Sequence, residues 1–566
     1  MQSDLLPMPA SISSVITFIM LYVGATAALS AQLLDKPHPY TQADTLRGSL
    51  RPERTCYDVK AYDLTVEVDI PTKSISGSNV ITFEAVSDFS KLQIDLFLEL
   101  AITSITFKGR PLSYTREANA VFIDFPNTVT AGTTDAFTID YNGTPREAQN
   151  PPWDGGFSWS LDDKGNPWVA VSCQGLGASV WWPNKDHLSD EPNRMTITVI
   201  APDTLTAIAN GNLVAEKPAG KGKKAATWAV TYPINNYNVT LNIGKYVHFG
   251  ETLFRADGTE LPLDYYVMAY NLERARKQFT QVKPMLACYE QYLGPYPFTN
   301  DGFALVETPY VGMEHQGAVA YGNRYKTGYA GFDYSGIGLD FDYIIIHEAG
   351  HEWWGNNVSM QDLADMWIHE GFCTYSEAIY VECMYDRTTA DAYIKAKRNL
   401  VANDKPIIGD YGVNNEGSGD MYPKGAIMLH MLRALTDNDS LWWSIIRGLQ
   451  QDFALKTVTT AQIEQYISQK AGKDFSKVFD QYLRNTDLPK LEYRLTEENG
   501  GVQFEYRWVA DAAGFNMPVR YTAANSKWVW CTPGPEWQQT FIPGVNSRTF
   551  RLDTNQFWFE ERVMRK

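Results

Sequence analysis

Of the eight histidines in the 566-residue chain, two stand four apart in His347-Glu348-Ala349-Gly350-His351, directly behind the apolar run Ile344-Ile345-Ile346. On a helix a spacing of four leaves two side chains about 40° apart around the axis. Both imidazoles therefore leave one face and can share a divalent cation at about 2.0–2.1 Å. Glu348 follows the first imidazole and points beside such a cation, where a carboxylate can take a proton from water. The isoleucines predict a buried helix, and two imidazoles with a carboxylate are costly in an apolar interior unless a partner joins them. A catalytic zinc takes three protein ligands and keeps one position open. Glu370 offers the third, in Met366-Trp367-Ile368-His369-Glu370-Gly371-Phe372, with 18 residues between it and His351. It stands at the head of a second apolar helical pattern over 372–384.

This pattern, with Glu370 inside Trp-x-x-Glu-Gly-Phe, resembles the aminopeptidase N family of zinc peptidases, to which the bifunctional leukotriene hydrolase is related. Three further segments agree. Val311-Gly312-Met313-Glu314-His315 is similar to that family's Gly-x-Met-Glu-Asn signature, departing from it at Val311 and His315. The resemblance makes Gly312, Met313 and Glu314 substrate-binding residues, with Glu314 on the free α-amine. A fixed anion one residue's length from the scissile carbonyl would set the register of cleavage. Met421-Tyr422-Pro423-Lys424-Gly425 resembles the family's Tyr-x-Lys-Gly motif, whose tyrosine hydroxyl donates to the oxyanion; Tyr411 is the fallback candidate. Cys173-Gln174-Gly175-Leu176 resembles a substrate-binding loop, with Gln174 and Gly175 as the residues carried over. Glu352 and His369 stand where the family usually has Gln and Asn; His369 is expected to tune the metal, to titrate near neutral pH, or to be solvated. The resemblance thus implies one zinc ion on His347, His351 and Glu370, Glu348 as general base, Tyr422 at the oxyanion, and peptides with a free N-terminus as substrates. The alternatives are an endopeptidase on the same scaffold, an epoxide hydrolase, or a peptide-binding descendant without turnover.

The surrounding pattern is multidomain α+β. Residues 57–248 alternate polar and apolar in stretches such as Asp63-Leu64-Thr65-Val66-Glu67-Val68, the period of half-buried strands, and predict an antiparallel N-terminal β domain. Residues 249–489 turn to helical spacing and are expected to form the catalytic domain, thermolysin-like by resemblance. Residues 490–566 return to alternation, a small C-terminal β domain in place of the large helical one of many relatives. Residues 32–56, with three prolines at 37, 39 and 52, read as a leader or linker. Residues 12–29 are apolar and run into small residues, an export signal cleaved near Ser30 or Ala31, or a membrane anchor if uncleaved. The expected location is periplasmic or extracellular, with membrane association only through this segment. The net charge of −17 disfavours a nucleic-acid partner. The six cysteines are scattered; buried free thiols are the expectation, with at most one disulfide whose partners the sequence does not name.

Overall fold

The alternation beginning at Tyr57 becomes a thirteen-residue strand, Tyr57–Asp69, with Leu64, Val66 and Val68 turned inward. The computed structural model of the chain describes residues 39–255, 258–337 and 340–565, so the expected signal or anchor at 1–31 lies outside the described residues. Among the described residues no helix is long and apolar enough to cross a membrane. Tyr57–Asp69 lies inside an eight-stranded sheet, between Ser74–Ala85 and Arg194–Pro202. The first pairing is antiparallel, but the second is parallel, from Ala61↔Arg194 to Glu67↔Ile200. The β domain is therefore not purely antiparallel. A parallel pair needs a long crossover, and here the crossover contains most of the domain's other strands. One of them, Pro167–Ser172, sits in a four-stranded sheet and ends at the loop carrying Gln174.

Residues 42–55, expected as linker, are folded. Helix α1, Gln42–Gly48, opens on a capping box in which the Thr41 side chain accepts from the Asp44 N–H and the Asp44 carboxylate accepts from the Thr41 N–H. A second short helix, Pro52–Thr55, buries Arg54 against Asp95, which it grips with two hydrogen bonds from Nη2 at 2.8 and 2.7 Å. The expected boundary at 248 falls inside the strand Tyr246–Phe254, which pairs with Glu260–Met268 in a five-stranded sheet ending at the edge strand Gly312–Met313. Four helices then build the centre: α2, Val282–Tyr292; α3, Tyr343–Gly350; α4, Trp367–Met384; and α5, Pro423–Thr436. A disulfide, Cys288–Cys383, joins α2 to the last turn of α4, and Cys56, Cys173, Cys373 and Cys531 are buried free thiols.

Two large apolar cores result. One fills the β domain; the other runs from the five-stranded sheet through α2–α5 into the C-terminal strands Lys490–Glu498 and Gly501–Val509 without a break. The last β segment thus shares its core with the helices. Met313, beside Glu314, belongs to the β-domain core, whereas Ile344, Ile345 and Ile346 belong to the helical one. The residues around Glu314 and the His347 helix meet where the two cores adjoin.

Candidate metal centre

Helix α3 is fixed at its start by Asp342. This N-cap accepts from the N–H of Ile344 and is itself held by Tyr321 Oη, Gln278 Nε2 and Asn323 Nδ2 at 2.6–2.7 Å. The three isoleucines are at most 1% exposed and anchor the helix by one side. From the other, His347 donates through Nδ1 to Glu377 Oε1 at 2.7 Å, and His351, the C-cap, through Nδ1 to the Trp354 carbonyl at 2.9 Å. Each ring is thereby set in the tautomer that leaves Nε2 bare. The two Nε2 atoms face each other at 3.3 Å, and each lies 3.5 Å from Glu370 Oε2. That oxygen is buried and has no hydrogen-bond partner. Three lone-pair donors converging without a proton between them are repulsive unless a cation joins them. Ligands about 2.05 Å from a tetrahedral centre stand about 3.3–3.4 Å apart, so the donor set fits zinc. Cys373 also lies within reach of both imidazoles. Its thiol, however, donates to the His347 carbonyl at 2.7 Å, and burial raises its pKa, so it stays protonated and Glu370 is the third donor.

Glu348 is buried beside this cluster, and burial lifts its carboxyl to about 7 against the opposing pull of His347 and His351. Gly312 forms the surface it lies on: a Cβ there would come within 2.7 Å of Glu348 Oε1 and 2.8 Å of Ile344 Cγ2. Glu314 follows at the end of the edge strand, 2% exposed. Its Oε1 accepts from Gln174 Nε2 at 2.5 Å and from Tyr237 Oη at 3.0 Å, while the same amide nitrogen reaches Glu370 Oε1 at 3.3 Å. Gly175 follows with φ of 72°, a conformation that favours glycine. Tyr422 stacks toward His347, ring centroids 6.0 Å apart and planes at 26°. It is delivered there by a glycine contact: a Cβ on Gly425 would stand 3.1 Å from the Gly371 Cα, so α5 crosses α4 at the residue next to Glu370. Lys424 points away and ties Asn403 Oδ1 and the Asn485 carbonyl, both at 2.9 Å. Tyr411 is exposed and donates to Asp365.

Three of the four departures from the family pattern are accounted for locally. His369 is fully buried, accepts from the Met360 N–H through Nε2 at 2.7 Å, and is pushed by burial to a pKa of about 3. It is neither solvated nor titrating near neutrality. Glu352 is buried, accepts from the Gly317 N–H at 2.9 Å, and is raised by burial to about 8, so at pH 7 it is a neutral acid much like the amide it replaces. His315 is likewise neutral, lowered by burial to about 3. Sequence reasoning passed over Glu377, Tyr237, Tyr393 and Lys397. Glu377 Oε2 accepts from Tyr393 Oη at 2.5 Å and pairs with Lys397 Nζ at 2.7 Å. Burial alone would raise this carboxyl, but Lys397 and His347 together hold it at about 2. A signal existed: Glu370, Cys373 and Glu377 are spaced three and four apart, one face of α4.

Two imidazoles, one carboxylate donor and an adjacent free carboxylate define a mononuclear metallopeptidase type of centre. Residues 277–482 match the domain described as Peptidase family M1 domain, and residues 59–237 the Peptidase M1 N-terminal domain. The chain belongs to the M1 peptidase family of aminopeptidase N-like zinc metallopeptidases. It is 24% identical over 283 residues to aminopeptidase N of Escherichia coli (strain K12), covering 48% of this chain and 32% of that protein. It is 21% identical over 499 residues to leukotriene A-4 hydrolase of Xenopus laevis, covering 80% and 76%. The chain spans 32% to 51% of the length of the bacterial and Candida albicans aminopeptidases it matches. Among solved structures, the M1 zinc metallopeptidase from Deinococcus radiodurans shares the fold, with TM-score 0.66 at 20% identity over 76% of this chain and 95% of that one. A point mutant of that enzyme has been solved bound to a Tyr-Ser-Ala substrate.

Proposed function

We propose that the protein is a zinc-dependent aminopeptidase that removes the first residue from peptides. His347, His351 and Glu370 would hold the ion, which when bound supplies an electrophile for the scissile carbonyl and lowers the pKa of water. Glu348 takes a proton from the attacking water and passes it to the leaving amine; a carboxyl held near 7 suits both transfers. The Tyr422 hydroxyl donates to the oxyanion, and its kept proton fits this task, since burial and the carboxylates around it raise its pKa well above 10. Glu314, with Gln174 and Tyr237 hydrogen-bonded to it, receives the substrate's ammonium.

The observation that carries this reading is one of length: ligand atoms of Glu314, His351 and Glu370 lie within 4.8 Å of one another. An ammonium on Glu314 leaves space for one residue before the carbonyl reaches the metal donors. The test is hydrolysis of a peptide with a free N-terminus against its N-acetylated form, with and without chelator. Release of the first residue from the free peptide alone, abolished by chelator and restored by zinc, is the expected result; equal cleavage of both peptides would make the chain an endopeptidase instead. Export is part of the same proposal. Its supports are the apolar stretch at 12–29 and the Cys288–Cys383 disulfide, a bond that persists in oxidising compartments.

A further inference from the structure

The loop at 173–177 turns tightly on itself: the Leu176 N–H donates to the Gln174 carbonyl at 2.8 Å and the Gly177 N–H to the Cys173 carbonyl at 2.6 Å. The two carbonyls that follow Gln174 are each tied from elsewhere in the chain. Leu176 O accepts from Arg47 Nη1 at 2.5 Å, and Gly175 O accepts from Asn414 Nδ2 at 3.0 Å. Gly177 has φ of 97°, and a Cβ there would lie 1.8 Å from Arg47 Nη2 and 2.4 Å from Asp186 Oδ2. The guanidinium thus occupies the space a side chain at 177 would need.

Arg47 is itself firmly placed. It pairs with Asp186 at 3.3 Å, and its own carbonyl accepts from Arg54 Nη1 at 2.7 Å. Arg54 grips Asp95, which accepts from the Asp186 N–H at 3.2 Å and closes the ring of charges. On the other flank Gly48 lies against residues 413–414, where a Cβ would be 2.2 Å from the Asn414 nitrogen. Tyr40 donates to Asp410. Helix α1 thus wedges between the β domain and the loop at 410–414, although it precedes the matched N-terminal domain, which begins at residue 59.

We propose that Arg47 and Asn414 are positioning residues that hold the Gln174 loop at Glu314, so that the segment 40–48 completes the amine-binding pocket. This rests on the aminopeptidase reading above. Neither residue touches substrate; each fixes one of the two peptide groups after Gln174, and so the direction of the amide that donates to Glu314. A guanidinium-to-carbonyl bond is charge-assisted, and its loss is expected to be felt as weaker amine binding rather than slower chemistry.

The test is kinetics of full-length Arg47→Met, Arg47→Lys and Asn414→Ala on a free-N-terminus peptide, with calorimetric binding of a free L-amino acid by each variant. The expected result for Arg47→Met is a KM raised about tenfold with kcat changed less than about threefold. Its amino-acid affinity should fall in parallel, with zinc content and Tm retained, and Arg47→Lys should recover part of the loss by reaching Leu176 O or Asp186. Unchanged KM and amino-acid affinity in Arg47→Met would overturn the proposal, as would a fall in kcat, zinc content and Tm together. Should Arg47→Met fail to fold, Asn414→Ala frees the same loop from its other side and must show the same KM effect. If the unmutated chain releases no N-terminal residue, the aminopeptidase reading fails by itself, and the calorimetric comparison still decides this proposal.

Discussion

Replacing Glu377 by glutamine is a one-atom change 2.7 Å from His347, and its outcome follows from a competition. The carboxylate serves three partners: Oε1 takes the Nδ1 proton of His347, and Oε2 takes the Tyr393 hydroxyl and the ammonium of Lys397. A glutamine has one oxygen. If it faces His347, the amide N–H₂ is driven against Lys397, which is 7% exposed; stranding a buried charge costs about 3–5 kcal/mol. If it faces Lys397, the N–H₂ meets Nδ1, the imidazole proton moves to Nε2, and that ring can no longer ligate. A neutral hydrogen bond is worth only about 0.5–1.5 kcal/mol, so the ammonium wins and His347 is lost as a donor. Changes to groups behind a ligand ordinarily cost about 10–100-fold in metal affinity; here the upper end, about 2.7 kcal/mol, is expected. The assay is zinc competition with a chelator of known affinity on Glu377→Gln and on Glu377→Gln/Lys397→Met. In the double variant no cation competes, the oxygen turns back to His347, and affinity should recover by about tenfold. A single variant that binds zinc as well as the unmutated chain, or a double variant no better than the single, would refute the reasoning.

Other perturbations separate the remaining roles. Glu348→Ala should lower kcat by about 10²–10⁴ while zinc, measured by elemental analysis, stays bound. Glu314→Ala should erase the preference for free over N-acetylated peptides, since the ammonium loses the buried anion that receives it. Gly312→Ala places a methyl 2.7 Å from Glu348 Oε1 and should reduce kcat without loss of zinc; a variant with unchanged kcat would show that the base does not rest there. Gly425→Ala forces α5 off Gly371 and should cost about 1–3 kcal/mol, read in denaturant midpoint, together with lower kcat as Tyr422 shifts.

The convergence of His347, His351 and Glu370 is legible in the sequence because it is written in short-range geometry: a spacing of four on one helix and a carboxylate at the head of the next. Glu314, Gln174 and Tyr422 are reached by resemblance, and the contacts that bring them together are long-range, such as Gln174 to Glu314 across 140 residues. Tyr237 leaves no trace, being one tyrosine among 32 in a turn with no motif. The parallel pairing of Tyr57–Asp69 with Arg194–Pro202 is invisible to alternation, which gives a strand's faces but not its neighbour's direction. In the segment 42–55, proline and charge suggest looseness while the finer signals point to helix. Thr41-x-x-Asp44 is a capping pattern, and Pro52 sits at the first turn of a helix, where it is welcome.

Glu314 follows an edge strand whose Met313 faces the β-domain core, yet the same five-stranded sheet turns Val319 and Tyr321 into the core that roots the imidazole helix. On the aminopeptidase reading, the ruler that measures a single amino acid therefore has its zero mark and its cutting edge on one block. A shear between the two cores thus leaves the distance from Glu314 to the imidazoles unchanged, and only a change inside that block, about 3.5 Å for the length of one residue, would turn release of single residues into release of pairs.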